Sequence, residues 1–341
     1  MKILLAADGF LTPEVLGAAV TSELPDATTT VIQSGWPVTP FGDVSEVKEA
    51  CGDEDELIGA LAGCEVAFTH TYPFTDRVIK ASPDLKMITV CRGGPVNVNI
   101  DAATEAGVLV SFAPGRNARA TAEHSVAMIM AAARSIAQRD AELKADQWRG
   151  DLYKFEEAGQ EIGSSTVGVI GFGAVGAKVG HVMAAMGARV LVYDPWAAPE
   201  ALEGVEAVEL DDLLAQSDIV TIHARVTKDN HHMINAETIG KMKKGAIFVN
   251  CARGPLADAD ALCDALDSGH LRHVALDCLP EEPLPAGHRL TRTPNVTLTP
   301  HIAGASQEAA RIAARIGSAD IAALARGDKP THLANPTIWK D

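Results

Sequence analysis

The sequence predicts an α/β protein with two doubly wound parallel-sheet domains, and three observations lead to that prediction. Short runs rich in Val and Ile alternate with helical patterns, and such near-continuous apolar strands are typical of parallel sheets covered on both faces. A length of 341 residues exceeds what one ordinary core needs and suits two. A glycine-rich turn also follows one of the runs. The predicted strands are residues 2–6, 29–33, 65–69, 87–90, 108–112, 166–170, 189–193, 218–223, 246–251, 273–276 and 296–299.

The chain is strongly acidic, with 29 Lys and Arg residues against 45 Asp and Glu residues and a formal net charge of −16. A surface of this charge repels nucleic acids and anionic membranes as a whole. We therefore expect neither a nucleic acid nor a membrane among the partners. A local basic pocket for a small anion is still compatible with this net charge.

The six cysteines form the pattern of neither a disulfide framework nor a metal site. None belongs to a C-x-x-C pair, and none has a histidine at the spacing of a zinc cluster. The apolar run at the start of the chain is too short for the core of a signal peptide. No stretch approaches the roughly 18 apolar residues of a membrane span. These observations predict a protein of the reducing cytoplasm without a metal site.

One predicted helix, residues 121–143, is unusual because its segment 126–133 is apolar nearly all round. An ordinary surface helix has a single apolar stripe. Two interpretations stay open: a helix buried between the domains, or a helix at a subunit interface.

The glycine-rich turn predicts a dinucleotide site, because a strand enters the pattern G-x-G-x-x-G and a helix follows it. Gly171 permits the tight turn, Gly173 lets the backbone approach a pyrophosphate, and Gly176 lets helix and strand pack closely. The N–H groups at the start of the helix then bind the phosphates. The turn reads Gly171, Phe172, Gly173, Ala174, Val175 and Gly176.

An acidic residue ends the next predicted strand. Asp194 lies 18 residues after Gly176, where a carboxylate accepts both hydroxyls of an adenosine ribose. A 2′-phosphate would meet like charge there, and the following Pro195 and Trp196 supply no arginine to compensate. NAD is therefore expected as the cofactor rather than NADP.

Three further motifs follow predicted strands, at the edge where open α/β sheets bind their ligands. Arg253 comes directly after an apolar strand and has the planar fork that binds a carboxylate at two points. Asp277 opens a segment that includes Glu282, and His301 lies between a strand and a glycine-containing turn. A histidine, a glutamate and an arginine that converge beside NAD would form a catalytic site.

Together these motifs resemble the D-isomer-specific 2-hydroxyacid dehydrogenases, the family of D-lactate, D-glycerate and phosphoglycerate dehydrogenases. The resemblance implies a Rossmann NAD-binding domain, residues 105–302, inserted in a flavodoxin-like substrate domain made of residues 1–104 and 303–341. The matching motifs are the glycine turn with Asp194, and residues 97–108, 114–117, 122–124, 250–254, 277–283 and 299–304.

The resemblance also implies an activity, the NAD-dependent interconversion of a small D-2-hydroxyacid and its 2-oxoacid. His301 would exchange a proton with the substrate oxygen, Glu282 would stabilise the imidazolium, and Arg253 would bind the substrate carboxylate. The backbone of Gly93 and Gly94 would complete the carboxylate site. Asp277 would contact the nicotinamide carboxamide. The implied cofactor contacts are Gly171, Gly173, Ala174, Val175, Gly176, Asp194, Ala224, Cys251, Ala252, Arg253, Asp277, His301 and Gly304.

The chain departs from the family pattern around the substrate. The loop 92–96 is about two residues shorter than the usual form, and the loop 69–74 lacks the arginine that phosphoglycerate enzymes use for the substrate phosphate. A phosphorylated substrate is therefore disfavoured. We expect a small polar hydroxyacid, with His70, Tyr72 and Arg92 near its distal end.

Two alternatives to this function stay open. Formate dehydrogenases share the fold, but that family has glutamine where the hydroxyacid enzymes have the glutamate matched by Glu282. A non-enzymatic NAD(H) sensor, as in the transcriptional corepressors of this fold, can retain all three catalytic residues. For the hydroxyacid dehydrogenase, a homodimer is expected.

Overall fold

The computed structural model describes residues 1–340 and contains fourteen strands, all but three of them at predicted positions. The exceptions are β3, β4 and β10, which contain no continuous apolar run. The strands are β1 Lys2–Ala7, β2 Thr28–Gln33, β3 Gly42–Val44, β4 Val47–Ala50, β5 Val66–Thr69, β6 Met87–Val90, β7 Leu109–Phe112, β8 Thr166–Ile170, β9 Arg189–Tyr193, β10 Glu206–Ala207, β11 Ile219–Ile222, β12 Ala246–Asn250, β13 Leu271–Leu276 and β14 Val296–Leu298.

Eleven α-helices connect these strands, and several begin at a side chain that accepts a backbone N–H, as Thr12, Asp53 and Ser306 do. The helices are α1 Pro13–Glu23, α2 Glu54–Leu61, α3 Asp76–Lys80, α4 Ile100–Glu105, α5 Ala118–Ala133, α6 Ile136–Lys144, α7 Gly176–Ala185, α8 Leu210–Gln216, α9 Ala236–Lys241, α10 Ala259–Asp267 and α11 Gln307–Arg326. None of the helices in residues 1–340 is long and apolar enough to cross a membrane.

The chain divides into two compact units. The first unit consists of residues 1–117 and the chain from Ala305 onward, and the second unit is the continuous segment Ala118–Gly304. The first boundary lies beyond the predicted position 104, because β7 pairs in parallel with β6 and so belongs to the sheet of the first unit. The second unit is thus an insertion in the chain of the first.

The first unit has a five-stranded sheet in the order β2-β1-β5-β6-β7, all parallel. Omitting the separate β3–β4 hairpin, this is the flavodoxin-like order 2-1-3-4-5. Buried apolar side chains fill both faces of the sheet. Helix α11 returns from the end of the chain and packs against α1, β6 and β7.

The second unit has a seven-stranded parallel sheet in the order β10-β9-β8-β11-β12-β13-β14. Counted from β8 this is the dinucleotide-binding order 3-2-1-4-5-6 with one added strand. Two buried clusters cover its faces. The predicted fold class, with two doubly wound parallel sheets, is confirmed.

The predicted helix 121–143 is two helices rather than one. Ser135 adopts a left-handed conformation with φ of 49°, and this ends the run between α5 and α6. Helix α5 packs on α7 and on β12, β13 and β14 within the second unit, which accounts for its apolar sequence. Helix α6 has no buried residue.

A close approach of α11 to the five-stranded sheet generates the first prediction. A Cβ at Gly317 would lie 2.4 Å from Phe68 Cε2 and 2.8 Å from Thr89 Cγ2, and both of these side chains are fully buried. Gly317→Ala should therefore lower the free energy of unfolding by about 1–3 kcal/mol, because overpacking outweighs the gain in helix propensity. The measurement is urea unfolding of the variant and of the wild type.

Gly59→Ala is the matched control, since Gly59 also lies within a helix but a Cβ there meets nothing within 4 Å. It should raise the free energy of unfolding by about 0.5–1 kcal/mol. Equal effects of the two substitutions would contradict the packing argument.

Candidate active site

The predicted glycine-rich turn lies at the carboxyl end of β8, where the order of the seven-stranded sheet reverses. Gly171 has φ of 86°, and a Cβ there would lie 2.8 Å from the backbone nitrogen of Ala224. A Cβ at Gly176 would lie 1.9 Å from the Gly171 carbonyl oxygen. Both glycines are therefore required by close approach, as predicted. At Gly173 a Cβ would meet nothing within 4 Å, so the space above it is open.

The start of α7 provides donors for an anion. Its N-cap residue Val175 makes no side-chain capping bond, so the first N–H groups of the helix keep their capacity to bind phosphate oxygens. Together with the cradle at Gly171 and Gly176, this fits the pyrophosphate of a dinucleotide. Ala174, also predicted, lies in the same turn and is exposed.

Asp194 follows β9 and is bound to the glycine turn. Its Oδ2 accepts the Phe172 backbone N–H at 2.7 Å, and its Oδ1 accepts that of Trp196 at 2.9 Å. A cavity of about 440 Å³ opens beside it, lined in part by Leu202 and Val208. A carboxylate that opens on a cavity of this size fits the ribose and the adenine of a dinucleotide. The sequence analysis did not single out Leu202, which ends a 3-10 helix, or Val208, which follows the two-residue strand β10.

The remaining predicted cofactor contacts lie at the ends of neighbouring strands. Ala224 follows β11 and lies against Gly171. Cys251 and Ala252 follow β12; Cys251 is 3% exposed, and burial raises the pKa of its thiol to about 12, so only its backbone is available to a ligand. Gly304 ends the second unit and is half-buried.

His301 and Glu282 form the predicted pair. His301 Nδ1 lies 2.7 Å from Glu282 Oε2, while Glu282 Oε1 accepts the Leu279 backbone N–H at 2.9 Å. The carboxylate is therefore oriented by its own loop before it meets the ring. Because Nδ1 donates to the carboxylate, Nε2 is the ring atom left to exchange a proton.

The environment of the pair favours the charged form of both groups. Contacts with Cys278 and Glu282 raise the pKa of His301 above its ordinary value, although burial acts against them. The Cys278 side chain also donates to the Ala252 carbonyl at 3.2 Å. Burial alone would raise the pKa of Glu282, but its bonds from His301 and Leu279 hold it below the usual range.

Asp277 holds the turn that carries His301. Its side chain is fully buried, and its oxygens accept the Thr299 hydroxyl at 2.6 Å and the backbone N–H groups of Ile302 and Ala303 at 2.9 Å each. Since all three donors belong to the turn, Asp277 determines where His301 lies. Contact of Asp277 with a nicotinamide stays a prediction.

Two residues around Asp277, His124 and Thr299, were not assigned roles from the sequence. His124 Nε2, on α5, lies 3.1 Å from Thr299 Oγ1 and 3.4 Å from Asp277 Oδ1. The only available signal was their position inside motif segments, and that signal does not distinguish a structural contact from a catalytic one.

Arg253 leaves β12 on a short loop. The Asn250 side chain accepts the N–H groups of Ala252 and Arg253 and donates to the Arg253 carbonyl at 2.8 Å. A Cβ at Gly254 would lie 1.8 Å from the Leu279 carbonyl oxygen, so this loop and the Glu282 loop are in close backbone contact. The Arg253 side chain is exposed and forms no salt bridge among residues 1–340. Its Nη1 donates to the Ala252 carbonyl at 2.7 Å, and its other N–H groups can bind an anion.

The substrate residues predicted in the first unit have different environments. Gly93 and Gly94 follow β6, and a Cβ at either would meet nothing within 4 Å. Tyr72 was expected near a substrate, but it is fully buried and its hydroxyl donates to Glu56, so that expectation is wrong. His70 and Arg92 lie at the carboxyl edge of the five-stranded sheet.

Comparison with known proteins agrees with this geometry. The family model described as the D-isomer specific 2-hydroxyacid dehydrogenase, NAD binding domain, matches residues 126–303. A glyoxylate reductase of Thermofilum pendens is 36% identical over 77% of this chain and 78% of its own length. A D-3-phosphoglycerate dehydrogenase of Mycobacterium leprae is 39% identical over 80% of this chain but only 51% of its own length.

A solved structure superposes on nearly the whole length of this chain. The D-lactate dehydrogenase of Lactobacillus jensenii, crystallised with NAD+, superposes with a TM-score of 0.81 and 25% identity over 98% of this chain and 99% of its own. The matched NAD-binding domain confirms the predicted cofactor. The chain is an NAD-dependent oxidoreductase and belongs to the D-isomer specific 2-hydroxyacid dehydrogenase family.

Proposed function

We propose that the chain interconverts a small D-2-hydroxyacid and its 2-oxoacid, with His301, Glu282 and Arg253 as the catalytic residues. The observation that carries the proposal is the 2.7 Å bond between His301 Nδ1 and Glu282 Oε2, beside a loop that bears an unpaired guanidinium. A 2-oxoacid needs a proton for its carbonyl oxygen and a cation for its carboxylate, and this set provides both.

His301 acts as the acid when the oxoacid is reduced. The nicotinamide supplies or accepts hydride at the substrate carbon when NAD(H) is bound. His301 Nε2 donates its proton to the carbonyl oxygen in that direction and takes it back from the hydroxyl in the other. Glu282 stabilises the imidazolium and keeps Nδ1 engaged, so that the proton exchanged is the one on Nε2.

Arg253 binds and orients the substrate. Its guanidinium has a fork geometry that matches a carboxylate, and the remaining N–H groups lower the energy of negative charge that develops on the carbonyl oxygen. The backbone N–H groups of Gly93 and Gly94 are further proposed donors to the substrate. On this proposal the first unit is the substrate domain, and the second unit is the NAD-binding domain.

Glu282 distinguishes this reaction from the oxidation of formate. A carboxylate that accepts from Nδ1 keeps a proton on the ring near neutral pH, as the reduction of a carbonyl requires. Formate carries no hydroxyl proton to exchange, and the glutamine of formate dehydrogenases fits that chemistry. The bond from Glu282 to His301 therefore favours the hydroxyacid reaction.

The chain is further proposed to form a homodimer in the cytoplasm. Helix α6 and the segment after it expose large apolar side chains: Ile136 at 54%, Leu143 at 55%, Trp148 at 84%, Tyr153 at 98% and Phe155 at 96%. Such a concentration of exposed apolar side chains is typical of an interface. All six cysteines are free, in keeping with a reducing compartment.

Removal of the imidazole tests the reaction. His301→Gln should lower kcat for the reduction of 2-oxoacids by about 100- to 10,000-fold, because general acid catalysis is lost, while NADH binding stays close to wild type. The measurements are NADH oxidation across a panel of 2-oxoacids and fluorescence titration with NADH. Unchanged turnover in the variant would contradict the mechanism. Binding of NADH without turnover of any oxoacid by the wild type would favour the sensor.

The pH dependence tests the Glu282–His301 pair. Reduction needs protonated His301, so kcat/KM for the oxoacid should fall as pH rises through the raised pKa of that ring. Glu282→Gln removes the carboxylate and should move the falling limb to lower pH by about 1–3 units. Oxidation needs the neutral ring, and its rising limb should move in the same direction. A limb that stays in place would show that Glu282 does not control the proton.

Introduced charge tests the dimer. The triple variant Trp148→Glu, Tyr153→Glu and Phe155→Glu should elute from size exclusion with the mass of one chain, whereas the wild type should have twice that mass. Val38→Glu, at another fully exposed apolar position, is the control and should remain dimeric. A wild type that is monomeric by light scattering would disprove the proposal.

A further inference from the structure

A cysteine lies beside the Glu282–His301 pair in the second unit and has no part in the proposed reaction. Cys278 follows β13, and its side chain is 2% exposed. Cys278, Glu282 and His301 each offer one ligand atom, and these sulfur, oxygen and nitrogen atoms all lie within 4.8 Å of one another. Among residues 1–340 no other group of three histidine, cysteine or acidic side chains meets this distance. The three side chains therefore form a cluster of the residue types that bind zinc.

The backbone on either side of Cys278 holds the two other members of the cluster. The Asp277 carbonyl accepts the His301 backbone N–H at 2.9 Å, which keeps the histidine beside the cysteine. The Leu279 backbone N–H donates to Glu282 Oε1 at 2.9 Å, which turns the carboxylate back toward the same segment. The cluster is thus fixed by bonds to the main chain of residues 277 and 279. No short spacing in the sequence reveals it, because His301 comes 23 residues after Cys278.

The donor types of the cluster indicate which metal ion fits. A thiolate is a soft ligand that favours Zn²⁺ over Mg²⁺ and Ca²⁺, and imidazole and carboxylate are also common zinc ligands. The thiolate and the carboxylate together carry two negative charges, which balance the charge of the ion. Bonds to zinc of about 2.0–2.3 Å place tetrahedral ligand atoms about 3.5 Å apart. Since the atoms already lie within 4.8 Å, the cluster needs to contract by about 1.3 Å at most.

The cluster is open to solvent on the side of the catalytic pair. The side chains of His301 and Glu282 are 44% and 26% exposed, whereas Cys278 is enclosed. A metal ion can therefore reach the thiol past the two exposed side chains, which are able to rotate onto it. Three protein ligands leave a fourth position for water, unlike the four protein ligands of structural zinc sites. This arrangement favours an exchangeable ion over a permanent one.

We propose that Cys278, Glu282 and His301 bind Zn²⁺ and that the bound ion reversibly inhibits the enzyme. The Cys278 thiol, which donates to the Ala252 carbonyl at 3.2 Å, releases its proton to solvent as the Zn–S bond forms. His301 likewise releases the proton of the nitrogen that binds the metal. No electron is transferred, and removal of the ion by a chelator restores both protons and the original hydrogen bonds.

Metal binding stops the exchange of a proton at His301. Nδ1 is the nitrogen that faces Glu282 Oε2, at 2.7 Å. Zinc on Nδ1 replaces this bond, so the carboxylate no longer stabilises an imidazolium. The proton left on Nε2 then belongs to a neutral ring and is too weakly acidic to protonate a carbonyl. The inhibition rests on the proposed function, because it requires His301 to be the acid, whereas the binding of the ion does not.

Cobalt tests the binding of the metal without any turnover. Co²⁺ replaces zinc in such sites, and a thiolate ligand adds a near-ultraviolet charge-transfer band to the visible bands of the tetrahedral ion. The wild type, freed of metals with a chelator, should show both features on titration with Co²⁺, and Zn²⁺ should abolish them by displacement. Cys278→Ala should lose the charge-transfer band. Cys263→Ala, at another buried cysteine of the second unit, is the matched control and should retain it.

The inhibition is measured as NADH oxidation with a 2-oxoacid at increasing Zn²⁺, with each variant compared to its own rate without metal. Zinc should inhibit the wild type and Cys263→Ala, and EDTA should restore the rate. Cys278→Ala should need about 100-fold more zinc for the same inhibition, because one of three protein ligands is lost. Mg²⁺ and Ca²⁺ at the same concentrations should not inhibit, since they prefer oxygen ligands.

Absence of the cobalt bands in the wild type, or zinc inhibition that Cys278→Ala leaves unchanged, would overturn the proposal. His231→Ala tests a surface alternative, because the rings of His231 and His232 are stacked 4.1 Å apart. Loss of cobalt binding in that variant would place the ion there instead. His301→Gln changes an exposed side chain and is the second variant; it should also weaken cobalt binding, and unchanged binding would contradict the site. Lack of turnover with any 2-oxoacid would disprove the proposed function and leave the cobalt titration decisive.

Discussion

Parallel pairing of the strands is the constraint on which both the fold and the site depend. In a parallel sheet every strand ends at the same edge. Backbone pairing alone therefore brings residues that are far apart in sequence close together at that edge, before their side chains make any contact. In the second unit this edge collects Gly171, Asp194, Ala224 and Arg253. In the first it collects Asp8, His70 and Arg116. Each sheet thus concentrates its polar chemistry at one edge and leaves its two faces apolar.

The predicted strands were accessible from the sequence because buried parallel strands are short, apolar and continuous. The same is true of Gly171 and Gly176, where a side chain would collide with the backbone. The break at Ser135 was not accessible, since a left-handed serine leaves no mark on helical periodicity. The burial of Tyr72 was not accessible either. The sequence around a tyrosine does not show whether its hydroxyl faces a ligand or, as here, another side chain such as Glu56.

Arg92 and Arg116 show why charge is harder to interpret than periodicity. From the sequence, Arg92 was expected near the distal end of the substrate, and Arg116 was one residue of a family-like segment. In the structure Arg92 is neutralised by Glu49, whereas Arg116 keeps two nitrogens without an acceptor among residues 1–340. Which of two arginines has a partner depends on distances between side chains, and no local pattern encodes those distances.

The discontinuity of the first unit has a consequence for how the protein is made. During synthesis the five-stranded sheet is complete once β7 has left the ribosome, but the helix that covers Phe68 and Thr89 on one face follows only after the whole of the second unit. The second unit is continuous and can reach its native state as soon as Gly304 has emerged. Until α11 arrives, one apolar face of the nascent first unit stays uncovered. The order of the segments along the chain therefore places the risk of aggregation in the first unit, while the second unit can fold before the first is complete.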